Sequence, residues 1–213
     1  PILDDYATLH PGFELLNMSY AEFREDIFKL LENMEHGSRR IDKIVGVLKS
    51  FVRKRDSGGM QEIDVKRLID KVVALCHAEI RHKVKSFELL VPVDLPSLVS
   101  DPEVIEQIVL NLLINAVHAS DKEDAKITLK VEHGASGFML EVTDNGSGIE
   151  DTVLEKIFDP FFTTKSSTMG TGLGLYICHN HVESLGGKIE VESSPGQGST
   201  FRVLLPQASE SQI

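Results

Sequence analysis

One stretch of the sequence, EQIVLNLLINAVHAS at residues 106–120, constrains the fold of the chain more than any other. Its apolar residues recur every three or four positions, which predicts an α-helix with one buried face. A second stripe of the same helix carries Asn111, Asn115 and His118. Asparagine is a poor helix former because its side chain competes for backbone hydrogen bonds. The stripe is therefore either a polar edge facing water or a row of functional side chains.

Charge and composition narrow the classes of partner. The chain has 213 residues and a formal net charge of -11, which argues against nucleic acid or an anionic membrane surface as its main partner. Cys76 and Cys178 are isolated in sequence and fit a reducing cytoplasm. The chain starts at Pro1 and contains no apolar run of membrane-spanning length. We expect a cytoplasmic fragment without membrane contact of its own, whose parent protein is either free or anchored through an upstream region.

The N-terminal quarter carries the pattern of one long helix. Ser19 and Glu22 form the signature of a capping box, so the helix is expected to begin at Ser19 and to run to about Arg55. Its apolar residues follow a heptad spacing, and at 1.5 Å per residue the helix would extend roughly 55 Å. A stripe of this length must be covered by a second copy of the chain, by residues upstream, or by both. We predict that residues 1–56 form part of a helical hairpin.

Residues 57–213 carry a different pattern, with segments of helical and strand-like periodicity in mixed order. This mixture of helices and antiparallel strands predicts an α+β fold, a two-layer sandwich. The expected helices span residues 64–82, 100–120, 153–158 and 172–185, and the expected strands span residues 61–63, 86–91, 125–132, 137–143, 188–192 and 199–205.

Two glycine clusters suggest where a ligand would bind. Asp144 ends a predicted strand ahead of Gly146 and Gly148, which indicates either a simple Asn-Gly turn or an adenine site. At an adenine site the carboxylate accepts a hydrogen bond from the exocyclic amine, while the glycines let the ring approach the backbone. The run GTGLGL at residues 170–175 opens a helix, where free N–H groups favour a polyphosphate, although a hinge would have the same composition. Lys165, in the polar loop before it, either reaches a phosphate or is solvated.

Five motifs, NLLINA, DNGSG, FDPFFTTK, GTGLGL and GQGST, occur in an order that resembles the N, G1, F, G2 and G3 boxes of sensor histidine kinases. Those kinases belong to a wider group of ATPases that includes gyrase and mismatch-repair proteins. The resemblance covers about residues 60–206, and the segment GSRRIDKIVGVLKSF looks like the second helix of the kinase dimerisation and phosphotransfer hairpin. It implies binding of ATP and Mg²⁺, a homodimer formed through the long helix, and a response-regulator receiver domain as partner.

The resemblance also implies roles for single residues near the phosphates. Asn115 would be the Mg²⁺ ligand, while Asn111, His118 and Lys165 would lie close to the phosphates and take part in catalysis.

At the other end of the nucleotide, the resemblance implies that Asp144 holds adenine and that Thr200 supports this contact. Thr200 belongs to GQGST, which by its own composition predicts a hairpin turn. The further implied nucleotide contacts are Gly146, Gly148, Ile149, Gly170, Thr171, Gly172, Leu173, Gly174 and Leu175.

Asn111 bears on whether ATP is hydrolysed or used for transfer. In the hydrolytic relatives the position four before the metal-binding asparagine carries a glutamate that activates water, and a carboxamide cannot take that proton. We therefore expect slow hydrolysis and transfer of the γ-phosphoryl group to another acceptor. In the family the acceptor is usually a histidine followed directly by an acidic residue, and none of the eight histidines here has such a neighbour. We expect the acceptor upstream of Pro1.

Two other functions stay open at this point. A nucleotide-binding regulatory module with little catalysis would use the same motifs. Transfer to serine, as in anti-sigma kinases of the same fold, is disfavoured by the long helix.

Overall fold

The computed structural model describes residues 2–10, 12–53, 59–164 and 171–207. The chain divides into two compact units, Pro1–Val52 and Arg53–Ile213. Each helix in these described ranges is too short or too polar to cross a lipid bilayer.

The first unit consists of two helices with a small hairpin between them. Its elements are α1 (Ile2–Leu9), β1 (Glu14–Leu15), β2 (Met18–Ser19) and α2 (Tyr20–Arg53). The predicted capping box is confirmed, because Glu22 N donates to Ser19 Oγ at 3.4 Å and Ser19 N donates to the Glu22 carboxylate at 3.0 Å. Helix α2 covers residues 20–53 of the range over which the long helix is predicted.

The hairpin itself was not predicted, because each strand has only two residues. Strands β1 and β2 pair antiparallel around Leu16 and Asn17, which have φ values of 52° and 61°. Positive φ at both central residues is what a two-residue hairpin of type I′ requires. Contacts between the rings of Tyr6, Phe13 and Tyr20, at centroid distances of 5.0 and 5.9 Å, then hold α1 against the hairpin and the start of α2.

The second unit is a two-layer α+β sandwich, as the sequence predicts. Its elements are β3 (Gln61–Ile63), α3 (Val65–Leu75), α4 (His77–Lys83), β4 (Ser86–Leu90), β5 (Leu98–Ser100), α5 (Pro102–Ala119), β6 (Lys126–Gly134), β7 (Gly137–Asp144), α6 (Asp151–Leu154), α7 (Gly174–Ser184), β8 (Lys188–Ser194) and β9 (Gly198–Leu205). The main sheet has the order β4-β6-β7-β9-β8, with β4 parallel to β6 and every other pair antiparallel. Strands β3 and β5 form a separate antiparallel pair.

Helix α5 contains the stretch that the sequence singled out and lies at the centre of the helical layer. It begins after Asp101, whose carboxylate accepts from Glu103 N at 2.9 Å, and Pro102 occupies the favoured first position. It contacts α3, α4 and α7 as well as strands β6, β7 and β9. Its buried side chains are Ile105, Ile108, Val109, Leu112, Leu113, Ala116 and Val117. Burial of each large aliphatic side chain contributes about 1.5–3 kcal/mol, so this face anchors the core.

Three predictions about secondary structure differ from the structure. The short helix expected over residues 153–158 is α6, which begins two residues earlier and ends at Leu154. The single helix expected over residues 64–82 is two helices, α3 and α4, which meet at Cys76, where the backbone has φ -88° and ψ 0°. Strand β5 was not expected, because three residues after Pro92 and Pro96 are too few to show an alternating pattern. Its pairing with β3, Gln61 opposite Ser100, is a contact between segments far apart in sequence.

Candidate functional site

A cavity of about 240 Å³ lies between the helical layer and the ends of the central strands. Its apolar wall is formed by Ile114, Ile149, Val153, Ile157, Phe162, Leu175 and Phe201. Its polar side chains are Asn111, Asn115, His118, Asp144, Thr163, Thr164, Thr171 and Ser199. An apolar wall with a few convergent polar groups is typical of a small-molecule site.

The polar stripe of α5 faces this cavity. Asn111, Asn115 and His118 all line it, so the stripe is not merely a helix edge facing bulk water. Gln107 Nε2 donates to Asn111 Oδ1 at 3.2 Å, which fixes the orientation of that carboxamide. Asn111 Nδ2 is buried and has no oxygen or nitrogen acceptor within the described residues, and its neighbour is the buried Cys178 thiol, which is a weak acceptor. A buried donor with so weak an acceptor is costly, and an incoming oxygen acceptor would offset that cost.

The start of α7 lies directly beside these carboxamides. A Cβ atom on Gly174 would lie 3.8 Å from Asn115 Nδ2 and 3.9 Å from Asn111 Oδ1, so the glycine leaves space next to both amides. The residue before the helix, Leu173, has no polar side chain that could cap it. The first N–H groups of an α-helix lack intrahelical partners and carry partial positive charge, which suits an anionic ligand.

Strand alternation directs Asp144 into the cavity. Along β7, Phe138, Leu140, Val142 and Asp144 are the buried alternate residues, and the strand ends at Asp144. Asp144 is 5% exposed, and its Oδ1 accepts from Gly146 N at 2.9 Å. A buried carboxylate among apolar side chains provides a strong acceptor for a planar ligand that carries an amine.

The glycines of the DNGSG turn allow close backbone packing. A Cβ atom on Gly146 would lie 2.2 Å from Ala119 O, and one on Gly148, whose φ is 69°, would lie 2.0 Å from Ser194 O. Ser147 N also donates to Ala119 O at 3.1 Å. The turn is therefore held between the end of α5 and the β8–β9 turn, and neither glycine position has room for a side chain.

The ends of the cavity can be located along α5. The Asp144 turn packs against Ala119, whereas Gly174 lies beside Asn111 and Asn115. These points are four to eight residues apart, or about 6–12 Å at 1.5 Å per residue. The cavity can thus receive an elongated ligand with an amine at one end and an anion at the other.

Ser199, which the sequence did not single out, occupies the position that was expected for Thr200. Ser199 is the register partner of Asp144, is buried and lines the cavity. Thr200 points to the opposite face of the sheet, where its Oγ1 lies 3.1 Å from Thr143 Oγ1. Adjacent strand residues face opposite sides, so the assignment of Thr200 as the support for Asp144 is off by one residue. The alternation of β9, with Phe201, Val203 and Leu205 buried, is the signal that identifies Ser199.

The cavity brings together most of the remaining predicted residues. Of those implied for the nucleotide, Gly146 and Leu173 support it without lining it, and Lys165 and Gly170 lie outside the described residues. Those that line it are Asn111, Asn115, His118, Asp144, Gly148, Ile149, Thr171, Gly172, Gly174 and Leu175.

Cys178 of α7 is buried and has a structural role. Its Sγ donates to Ile108 O at 3.7 Å, which links α7 to α5. Burial raises the pKa of the Cys178 thiol to about 12. A thiol that stays protonated is neither a nucleophile nor a metal ligand at neutral pH.

Comparison with known proteins agrees with this geometry. The family model described as "Histidine kinase-, DNA gyrase B-, and HSP90-like ATPase" matches residues 100–209. Sensor histidine kinase ZraS of Escherichia coli K12 is 34% identical over 178 residues, which cover 84% of this chain and 37% of ZraS. Signal transduction histidine-protein kinase AtoS of the same strain is 36% identical over 168 residues, covering 78% of this chain and 27% of AtoS. The chain therefore spans well under half the length of these relatives.

Solved structures of histidine kinases also resemble this chain. The catalytic domain of histidine kinase ThkA has a TM-score of 0.62 and 34% sequence identity, and the match covers 70% of this chain and 97% of that domain. Full-length ShkA, crystallised in complex with AMPPNP, has a TM-score of 0.71 and 25% identity, with coverage of 96% of this chain and 42% of ShkA.

Proposed function

We propose that this chain binds ATP with Mg²⁺ and transfers the γ-phosphoryl group to a histidine. The premise is its family, because the chain belongs to the histidine kinase branch of the histidine kinase-, DNA gyrase B- and HSP90-like ATPase family. The observation that carries the proposal is the content of one cavity: a buried carboxylate at one end, and two carboxamides beside the start of α7 at the other. The AMPPNP complex of ShkA supports the choice of ligand, since AMPPNP is an ATP analogue.

Adenine fits the end of the cavity at Asp144. The exocyclic amine of adenine is a donor and the carboxylate is a buried acceptor, while Ile149 and Phe201 provide apolar surface for the ring. The hydroxyl of Ser199, next to Asp144 across the strands, offers a further polar contact. Guanine and hypoxanthine carry a carbonyl in place of that amine and would set two acceptors against each other.

The phosphates fit the end at Gly174. Asn111 Nδ2 has no oxygen acceptor within the described residues, and the start of α7 lies beside it, so this amide and the first N–H groups of the helix would donate to phosphate oxygens. Asn115 would hold Mg²⁺ through its carboxamide oxygen, together with phosphate oxygens and water. No cluster of three or more His, Cys, Asp or Glu side chains in the described ranges could hold a metal ion, which suits a metal held largely by the nucleotide. The bound ion would supply charge neutralisation to the phosphates.

Asn111 favours transfer over hydrolysis. Its oxygen accepts from Gln107 and its nitrogen is a donor, so neither atom can take a proton from water. In the transfer, the bond from the γ-phosphorus to the bridging oxygen breaks and a phosphorus–nitrogen bond forms to the acceptor imidazole. We assign that acceptor to a histidine outside this sequence, and expect an aspartate of a response-regulator receiver domain to take the phosphoryl group next.

We further propose that α2 pairs with α2 of a second copy. Its heptad residues Ile27, Leu30 and Met34 are 37%, 54% and 63% exposed in the single chain. Such a stripe is stable in water when a partner helix covers it. Light scattering over a concentration series would report the dimer. We propose the cytoplasm as the compartment, because it supplies ATP and keeps the free cysteines reduced.

The kinase proposal is tested with labelled ATP. The chain is incubated with γ-labelled ATP, Mg²⁺ and a fragment of the parent protein that carries the acceptor histidine. The expected product is a phosphorylated fragment whose label is lost in acid and kept in base, and Asn115→Ala should abolish it. Tight ATP binding without any labelled fragment would indicate that the chain is a regulatory nucleotide-binding module and not a kinase. Absence of ATP binding would contradict the proposal altogether.

A further inference from the structure

Asn145 follows the Asp144 carboxylate and uses every polar atom of its side chain to join two segments of the fold. Its Oδ1 accepts from Lys126 N at 2.7 Å, and its Nδ2 donates to Asp124 O at 3.1 Å. Its backbone N–H donates to Lys126 O at 3.2 Å. Three hydrogen bonds therefore attach this single residue to the start of β6.

These bonds let the chain leave the sheet without losing contact with it. The last residue pair between β6 and β7 is Ile127 with Asp144. At the next position the Asn145 side chain, instead of a backbone carbonyl, accepts from Lys126 N. The backbone is then free to form the glycine turn at Gly146, while its direction stays set by β6.

The orientation of the Asp144 carboxylate depends on that turn. Asp144 Oδ1 accepts from Gly146 N, so a shift of the turn moves the donor that orients the carboxylate. Gly198 packs on the other side of the same peptide, with its Cβ position 2.0 Å from Asp144 O and 2.6 Å from Asn145 Cα. Without the two side-chain bonds of Asn145, the turn would keep this contact and the bond from Asn145 N to Lys126 O, but it would be held less firmly against β6. Asn145 does not line the cavity, so any effect on the ligand passes through Asp144.

We propose that Asn145 is a positioning residue for base recognition, which sets the preference for adenine by fixing the turn that orients Asp144. The proposal rests on the assignment of the cavity to ATP. It predicts a loss specific to the adenine amine, because apolar contacts with the ring and donors to the phosphates are made by other residues.

The test compares ATP with ITP, in which a carbonyl replaces the exocyclic amine. Affinities of the full chain for both nucleotides are measured by calorimetry for the wild type, Asn145→Ala and Asn145→Asp. Asn145→Ala should bind ATP about tenfold more weakly than the wild type, because ATP loses the hydrogen bond from its exocyclic amine to the Asp144 carboxylate. Its affinity for ITP, which lacks that amine, should stay within about threefold of the wild type. Asn145→Asp keeps the acceptor for Lys126 N, so its affinity for ATP should fall between those of the wild type and Asn145→Ala. Asn180→Ala is the matched control, because Asn180 Nδ2 donates to Tyr176 O of its own helix and Asn180 does not line the cavity.

The outcomes separate this inference from the function on which it rests. A wild type that binds ATP no better than ITP would refute the assignment of adenine to Asp144, and this inference with it. A wild type that prefers ATP, with an unchanged preference in both Asn145 variants, would refute only the positioning role. Equal losses for ATP and ITP would also refute it, because a general weakening of the fold affects both nucleotides. If Asn145→Ala does not fold, as judged by circular dichroism, the ratio of the affinities of Asn145→Asp for ATP and ITP decides alone.

Discussion

Replacing Asp144 by asparagine should reverse the base preference of the site. The asparagine Oδ1 can keep the 2.9 Å bond from Gly146 N, so its NH₂ group must take the place of the second carboxylate oxygen. That group is a donor and would face the donor amine of adenine. The same NH₂ group would face the carbonyl of hypoxanthine, which is an acceptor. The substitution therefore exchanges the base that the site can pair with, while the shape of the side chain stays the same.

The size of the effect follows from the bonds involved. A hydrogen bond to a charged group contributes about 1.5–3 kcal/mol, and leaving a buried donor unpaired costs a further 1–3 kcal/mol or so. A loss of about 2.5–6 kcal/mol lowers ATP affinity roughly 10²-fold to 10⁴-fold, at about 1.4 kcal/mol per factor of ten. The free energy of unfolding should stay the same or rise, because the substitution removes a charge that is 5% exposed in the free protein.

The assay is displacement of a fluorescent ATP analogue by ATP and by ITP, with thermal unfolding measured on the same samples. Glu141→Gln is the matched control, since Glu141 lies on the same strand with its carboxylate on the opposite face, paired with Arg202 at 2.6 Å. It should leave nucleotide affinity unchanged. Wild-type ATP affinity in folded Asp144→Asn protein would refute the adenine assignment, and so would equal weakening for both nucleotides.

Three further predictions concern other parts of the structure. Asn111→Glu supplies a carboxylate at the position of a general base and should raise the rate of ATP hydrolysis at least about tenfold in a phosphate-release assay. Rapid hydrolysis by the wild type in the same assay would contradict the role given to Asn111. Gly148→Ala forces a Cβ to 2.0 Å from the Ser194 carbonyl oxygen and should lower the melting temperature by more than about 5 °C. In the control Gly196→Ala the new Cβ has open space around it, so the free energy of unfolding should fall by only about 1 kcal/mol. The Cys178 thiol has a pKa of about 12 when folded and about 9.0 when unfolded, so its contribution to stability is complete below pH 9 and is lost as pH rises towards 12. Between pH 8 and pH 10, urea titration should show the wild type losing about 1 kcal/mol more than Cys178→Ala, and equal losses would contradict this.

Much of the local structure could be predicted because its causes lie within short segments. The capping box at Ser19 and Glu22 involves residues three positions apart, and so does the bond that Asp64 accepts from Arg67 N at 3.0 Å at the start of α3. The apolar stripe of α5 is likewise a property of one helix, and its residues Ile108, Val109, Leu112, Leu113, Ala116 and Val117 are buried. The motif order indicated the family before any contact was known, and the family match over residues 100–209 agrees with it.

Other features could not be predicted, because they depend on segments that meet only in the folded chain. Ser199 rather than Thr200 lies beside Asp144, since the register between β7 and β9 decides which face a residue occupies, and a shift of one residue exchanges the faces. The break at Cys76 and the three-residue strand β5 leave no periodic signal in so few residues.

The sequence by itself determined the helices, their caps, the family and the chemical groups available to the site, because periodicity, capping and motif order are written in neighbouring residues. Only the tertiary structure decided how those groups are used. The start of α7 lies beside Asn111 and Asn115, and Asn145 attaches the Asp144 turn to β6, through contacts between residues 19 to 63 positions apart. Such contacts depend on how the helical layer packs on the sheet, and that arrangement follows from the summed burial of the core rather than from any one segment.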